Sequence, residues 1–417
     1  MPDLEKNIKS SLKKLEKYLD TTNLKGYDPY DALNSKFLKL ITFNKRLPGI
    51  VFTQALKRLP INLRPLLLVK KDYNPKGLGL FLTGYVKLYR LYKEKKCLQK
   101  INHIISLLEK LRSTGYSGYC WGYNFPWQNK LFLWPGYTPT VVNTAFVAHA
   151  FLDTYELLGK KRLFEIARSS CNFILQDLFI LKCNDSVCFS YTPFNKSKIH
   201  NANVLAAGLL ARVYSISKEE KLLEYAQKSI KFTIDRQREN GSWYYGETVK
   251  NEGLWYKGEN GTDYENDEGY AGAVNYIDNF HTGFVLESLW YYTKYTGDQT
   301  YVANIKKGLE FFESNLFLED GTSKYFFNSV YPIDIHSSAQ AIVTFVKLNI
   351  IKEYSQTLDT VTQWMIKNMQ DKRGYFYYRK GKYFRNKIPY IRWSQAWCFH
   401  ALTTYLFDLH NNFNKGK

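Results

Sequence analysis

Two short segments place an acid and an imidazole in a matching pattern: Asp278-Asn279-Phe280-His281 and Asp334-Ile335-His336. Each sits where a run of mostly apolar residues begins. A third run opens on His200-Asn201-Ala202-Asn203, and a fourth carries Asn143 near its start. Polar residues at one end of otherwise apolar helices suit two chemistries. Hydrolysis of a glycosidic bond needs two carboxylates, one to protonate the leaving oxygen and one to activate water or attack carbon. Asp278, Asp334 and Glu247 are the candidates, with Asp28 and Asp31 of a DPYD turn behind them. Epimerisation or β-elimination needs a base that removes a carbon-bound proton, often with an acid opposite. His281 and His336, or Tyr245 with a histidine, would serve, and Arg392 could neutralise a uronate carboxylate through a bidentate contact. An aspartate before a helix is also an ordinary N-cap. That accounts for Asp278 or Asp334 singly, but not for the histidines.

Around these residues stand aromatic turns: GYSGYCWGYNFPW (115–127), CFSYTPFN (188–195), GSWYYGE (241–247), KYFFNSVYP (324–332) and GYFYYRKGKYF (374–384). Trp121, Trp127, Trp243, Tyr244, Tyr245, Trp255 and Trp393 are candidate platforms for the apolar face of a pyranose, with Asn143, His200, Asn203, Asn279 and Arg392 as partners for its hydroxyl and carboxyl groups. The plain alternative is that more than half of the rings pack the turns together, since large aromatics dominate cores. The stretch 239–278 is rich in carboxylates, including Glu252, Glu259, Asp263, Glu265, Asp267 and Glu268. It lacks the ordered spacing of a calcium loop. No HxH, HExxH or clustered cysteine is present, so neither a metal nor another cofactor is expected.

The elements that position these residues repeat. Apolar helices begin near Gly77, Thr138, Asn201, Asn279, Ile335 and Arg392, at intervals of 61, 63, 78, 56 and 57 residues. An amphipathic helix follows each of the first five, as in Glu219–Arg236, where Leu222, Ala226 and Ile230 share one face. The leading helices differ: NVLAAGLLARVY (203–214) is apolar nearly all round, so it is buried on all sides. A repeat of this size is one supersecondary unit, here a helical hairpin. Six hairpins predict an all-α ring with an inner and an outer helix layer, an (α/α)6 toroid, with the aromatic turns as short ribbons on one rim. The toroid spans 26–417, behind a basic amphipathic helix over 1–25. An N-terminal helix supplies the outer member of the sixth pair.

This pattern resembles the six-hairpin glycosidase-like toroids over roughly residues 25 to 410. More closely, GYDPYDALNS (26–35), PINLRPLL (60–67), YCWGYNFPWQ (119–128), YIDNFHTGFVLESL (276–289) and RWSQAW (392–397) resemble a family found in bacterial surface-polysaccharide gene clusters. The resemblance implies a glycan substrate. The fold hosts glycoside hydrolases, polysaccharide lyases and sugar epimerases, so it implies a substrate class more than a reaction. Some epimerases on it use paired histidines on inner helices. Three readings follow: a hydrolase with a carboxylate pair, which leads; an epimerase or lyase with His/Tyr chemistry; and a glycan-binding protein without turnover.

Composition sets the remaining bounds. The 417 residues carry a net charge of +20. Lys-rich composition explains part of it; an anionic partner explains it functionally. Without a zinc finger, an RNA-recognition motif or a short Lys/Arg block, nucleic acid is not expected, and an acidic oligosaccharide or polysaccharide fits better. The basic first helix leaves room for peripheral membrane contact. The first twenty residues lack the apolar core of a secretory signal, and the six cysteines show no CxxC pairing. Both features predict a reducing cytoplasm.

Overall fold

A computed structural model describes residues 2–41, 46–128, 133–247, 274–348 and 351–415. The chain opens with α1 (Pro2–Thr22), a 3-10 turn (Asp31–Asn34) and two short helices, α2 (Lys36–Ile41) and α3 (Arg46–Arg58). Helical pairs follow: α4 (Pro75–Tyr92) with α5 (Lys95–Lys110), α6 (Val141–Leu158) with α7 (Lys161–Asn172), and α8 (His200–Ser217) with α9 (Glu220–Ile234). Then come α10 (Asn279–Thr296) with α11 (Val302–Leu316), α12 (Ile335–Lys347) with α13 (Ile351–Met369), and α14 (Trp397–Lys415). A π-helical turn over Ile391–Ala396 leads into α14.

The helices α4, α6, α8, α10, α12 and α14 touch in sequence, and α14 returns to α4. They form a closed inner ring. Outside it α5, α7, α9, α11 and α13 each cover their own partner, and α1 covers α14. The fold is therefore an all-α (α/α)6 toroid. Leu4, Ile8, Leu12, Leu15 and Leu19 of α1 are buried, and the helix packs against α13 and α14. Helix α1 is thus the outer member of the sixth pair, and its apolar face is occupied by the fold.

Local chemistry explains the hairpins. Asn74, Thr140, Asp278 and Asp334 cap α4, α6, α10 and α12 by accepting from backbone N–H groups of the first turn. Lys93, Gly159, Lys218 and Gly297 end four inner helices in the left-handed conformation, which reverses the chain straight into the outer helix. Small residues bring inner helices together: a Cβ on Gly283 of α10 would come within 2.8 Å of Gln340 and Thr344 of α12.

The aromatic turns form antiparallel ribbons beside the starts of the inner helices. Trp127–Gln128 pairs with Leu133–Trp134, and Lys198–Ile199 with Gly246–Glu247. Ile333–Asp334, Arg379–Lys380 and Arg385–Asn386 make a three-stranded ribbon. Two tryptophans pin these turns to the outer layer. Trp121 Nε1 donates to the Leu108 carbonyl near the end of α5 (2.8 Å), and Trp243 Nε1 to the Thr233 carbonyl near the end of α9 (2.9 Å). Farther along the inner helices, neighbouring ones are tied together by Arg212 of α8 on Asp153 and Glu156 of α6, and by Lys347 of α12 on Glu287 of α10.

Candidate active site

The rim at the inner-helix N-termini gathers charged and aromatic side chains from every part of the ring. The Asp278 side chain is shut from solvent and does two jobs. Its Oδ1 accepts from the His281 backbone N–H (2.9 Å), and its Oδ2 lies 2.6 Å from His281 Nδ1. A carboxylate only accepts, so Nδ1 carries a proton and Nε2 is the ring nitrogen not engaged by Asp278. The His281 side chain is 21% exposed. It lines a small cavity of about 10 Å³ with His200, Asn201, Tyr245 and Tyr276, room for roughly one water. The Tyr245 ring stands 4.6 Å from the His281 ring and stacks on Tyr276.

His336 is buried beside this dyad. Its ring lies parallel to Phe280 at 4.3 Å and against Trp397 at 4.3 Å, with Trp393 edge-on at 5.1 Å. Neither ring nitrogen has a hydrogen-bond partner among the described residues. Burial holds His336 well below the ordinary histidine value, and the positive charges of Lys76 and Arg392 add to the effect. It is a neutral imidazole with both nitrogens unused.

The carboxylates expected to pair for hydrolysis are each already engaged. Asp334 accepts from Arg379 Nε (2.6 Å), Trp393 Nε1 (2.8 Å) and the His336 backbone N–H (3.0 Å), and it is fully buried. Glu247 pairs with Arg236 on an outward pocket shared with Cys183, Asn184 and Asp235, away from the dyad. Asp28 receives Arg392 through Nε (2.6 Å) and Nη2 (2.8 Å) and makes the expected turn through the Tyr30 N–H. Arg392 therefore has a bidentate carboxylate partner within the protein. Asp31 is held by Arg64 at 2.6 Å. The other acidic candidates and Trp255 fall in 248–273, outside the described residues.

Several expected sugar contacts belong to the framework. Trp121 and Trp243 are the buried pins described above. Asn203 donates to the Ser229 carbonyl and accepts from the Phe189 N–H. Asn279 donates to the Leu316 carbonyl at the end of α11. Asn143 is fully buried and its amide has no partner among the described residues. His200 turns Nδ1 toward Thr233 of α9 (3.4 Å); burial, with Arg236, pushes it down to about 3. Two expected aromatics do reach the rim: Trp127 packs edge-on against Trp134 and Tyr191, and Trp393 packs against Phe280, His336 and Tyr30.

The sequence reading missed Lys76, which stands inside this cluster. It is 3% exposed, with Nζ 4.3 Å from the Phe146 ring centre, 5.0 Å from Phe284 and 5.3 Å from Trp397. Among the described residues it forms no hydrogen bond or ion pair. Burial pushes its amine well below the ordinary lysine value; Arg392 adds to this and Asp28 opposes it. The three ring faces favour the ammonium form. Arg392, Arg379 and Arg64 each pair with a carboxylate; among the described residues Lys76 has no carboxylate within ion-pair distance. The next residue, Gly77, lies against Arg392: a Cβ there would make ordinary contact with the Arg392 backbone at 3.4 Å. Arg392 and Trp393 ride on the π-helical turn, a geometry frequent at functional sites.

The sequence matches no protein-family model and no curated protein. Solved structures share the fold. A cellobiose 2-epimerase from Bacillus thermoamylovorans superposes with a TM-score of 0.59 at 13% identity, covering 80% of this chain and 89% of its own. A GH76 α-mannanase from Bacteroides thetaiotaomicron gives 0.55 at 12% identity, covering 81% and 87%. A glycosyl hydrolase family 88 protein from Bacteroides vulgatus gives 0.54 at 12% identity, covering 81% and 93%. At these identities the likeness is one of fold.

Proposed function

We propose that this protein is a glycan-active enzyme that moves a carbon-bound proton of an acidic sugar, as an epimerase or a lyase does. One observation carries the reading. Asp278 holds His281 through Nδ1 at the edge of a cavity, while the other described carboxylates of the rim, Asp28, Asp31, Asp334 and Glu247, are each paired with an arginine. His281 is the base, and Tyr245, in ring contact with it, is placed to return or donate a proton. Lys76 takes the anionic group of the sugar. A carboxyl group at the reacting carbon makes its proton easier to remove, and the charge that develops there is stabilised by Lys76 in its ammonium form, which the three ring faces and the bound anion favour. Trp393 and Trp127 offer flat faces to the ring. Similar folds in an epimerase and two hydrolase families support a sugar substrate. Hydrolysis is the second reading, and it would draw its carboxylates from 248–273.

The test is mass spectrometry of acidic and neutral oligosaccharides incubated with the protein in deuterated water. Carbon-bound deuterium in an intact sugar, or an unsaturated fragment without added water, fits the proposal. Fragments that gain water and no carbon-bound deuterium would replace it with hydrolysis.

A further inference from the structure

We propose that the lobe between the mouth of the toroid and its three-stranded ribbon docks on an anionic lipid surface. Tyr383, Leu66, Leu40, Leu68, Ile61 and Val51 are the six most exposed large apolar side chains among the described residues, from 86% down to 64%. All lie in two segments, 36–71 and 379–387. On α2, Phe37, Leu40 and Ile41 form one exposed stripe; Val51 and Ala55 of α3, with Leu59 just past its end, form another. Elsewhere this spacing marks a face that packs on a neighbour, yet here both stripes meet solvent.

The two segments are joined in space: Asn386 Nδ2 donates to the Leu59 carbonyl at 2.9 Å. They are also the most basic part of the chain. Residues 36–71 carry nine Lys and Arg and no Asp or Glu, and residues 379–387 carry five and none, fourteen positive charges in a protein of net +20. Arg64 and Arg379 turn inward to Asp31 and Asp334, but Arg58, Lys70, Lys71, Lys382 and Arg385 are exposed beside the apolar residues. Apolar side chains within a basic field are the signature of interfacial binding to anionic lipid. A second copy is a poor occupant, because it would bring like charges face to face. No described helix is long and apolar enough to cross a membrane, so the contact is peripheral.

The lobe borders the site. Its α3 touches the Trp127–Gln128 strand. Lys57 Nζ donates to Tyr30 Oη (2.6 Å), and the Tyr30 ring stands 5.8 Å from Trp393. A docked molecule would hold its mouth beside the lipid headgroups, where a membrane-bound glycan could enter. The docking itself does not depend on which reaction the site performs.

Vesicle flotation of the full chain tests this, using phosphatidylcholine vesicles with and without about one third phosphatidylglycerol. Binding should need the anionic lipid and fall steeply with salt. Leu66→Asn with Leu68→Asn should weaken it roughly ten-fold or more. Lys70→Glu with Lys71→Glu should weaken it at least about twenty-fold, at roughly five-fold per charge removed. Ile216→Asn, at the opposite end of α8, should bind as wild type. All positions are exposed, and unchanged thermal melting verifies the fold. No binding at low salt, binding untouched by either pair, or a dimer in light scattering that the same pairs disperse would overturn the proposal.

Discussion

Replacing Lys76 by Met should make the protein more stable and less able to hold an acidic sugar. Met keeps the length of the stem and removes the charge. A buried ion costs several kcal/mol after relaxation. Three aromatic faces at 4.3, 5.0 and 5.3 Å return about 0.5–2 kcal/mol each at most. The balance is a gain of roughly 1–3 kcal/mol for Met. Unfolding entropy of about 2.1 cal/mol/K per residue makes 1 kcal/mol worth about 1 °C at this chain length, so Tm should rise by about 1–3 °C. The pH dependence has a definite sign. The folded-state value lies below the ordinary 10.5, so between the two the unfolded chain holds the extra proton and stability rises with pH. The penalty is complete below the folded-state value and fades toward pH 10.5. The advantage of Lys76→Met should therefore be largest on the acid side and vanish in strong alkali. Calorimetric scans of both proteins across pH measure this, and titration with a uronic-acid oligosaccharide and its neutral counterpart measures binding. Loss of a charge-assisted contact should weaken the acidic ligand by about 10–100-fold and leave the neutral one nearly unchanged. A lower Tm for Lys76→Met would refute the claim that the ammonium is uncompensated. Equal weakening of both ligands would refute its role in reading charge.

Other positions separate the roles of neighbours. His281→Gln should lower turnover by about 10²–10⁴-fold with little change in sugar binding, seen in single-turnover rates beside calorimetric titration. Asp278→Asn keeps an N-cap acceptor and should lose turnover without a large change in Tm, because the imidazole is no longer fixed in one tautomer. Asp334→Ala should cost about 3–5 kcal/mol by leaving Arg379 buried and unpaired, so the melting curve responds before any assay of chemistry. Glu247→Gln, in a partly exposed pair with Arg236, should shift stability by less than about 1 kcal/mol and leave turnover intact.

The ring of helices was legible because its signal repeats. The inner helices are mostly apolar, aromatic turns lead into them, and five of the six expected starts fall within three residues of those observed, while the sixth, Arg392, falls in the π-helical turn that leads into α14. The site was less legible, and helix geometry explains why. Residues two apart on a helix point about 200° from each other. Asn279 and His281 are such a pair: the first ties to the Leu316 carbonyl in the outer layer, the second faces the cavity. Asn201 and Asn203 repeat the division, the first lining the cavity and the second bonded to Ser229. A polar residue early in an inner helix therefore serves as either a reacting group or a clamp between layers, and composition alone does not separate the two. The tryptophans divide the same way, with Trp121 and Trp243 pinned to outer-helix carbonyls and Trp393 turned inward. Position within the first turn separates some of them: His336, Asn201 and Lys76 each stand two residues after the N-cap of α12, α8 and α4, whereas His281 stands three after the N-cap of α10. Lys76 shares the register of His336, so the repeat position that located His336 also marks the lysine; its charge made it look like a surface residue, and its place in the repeat sets it beside His336.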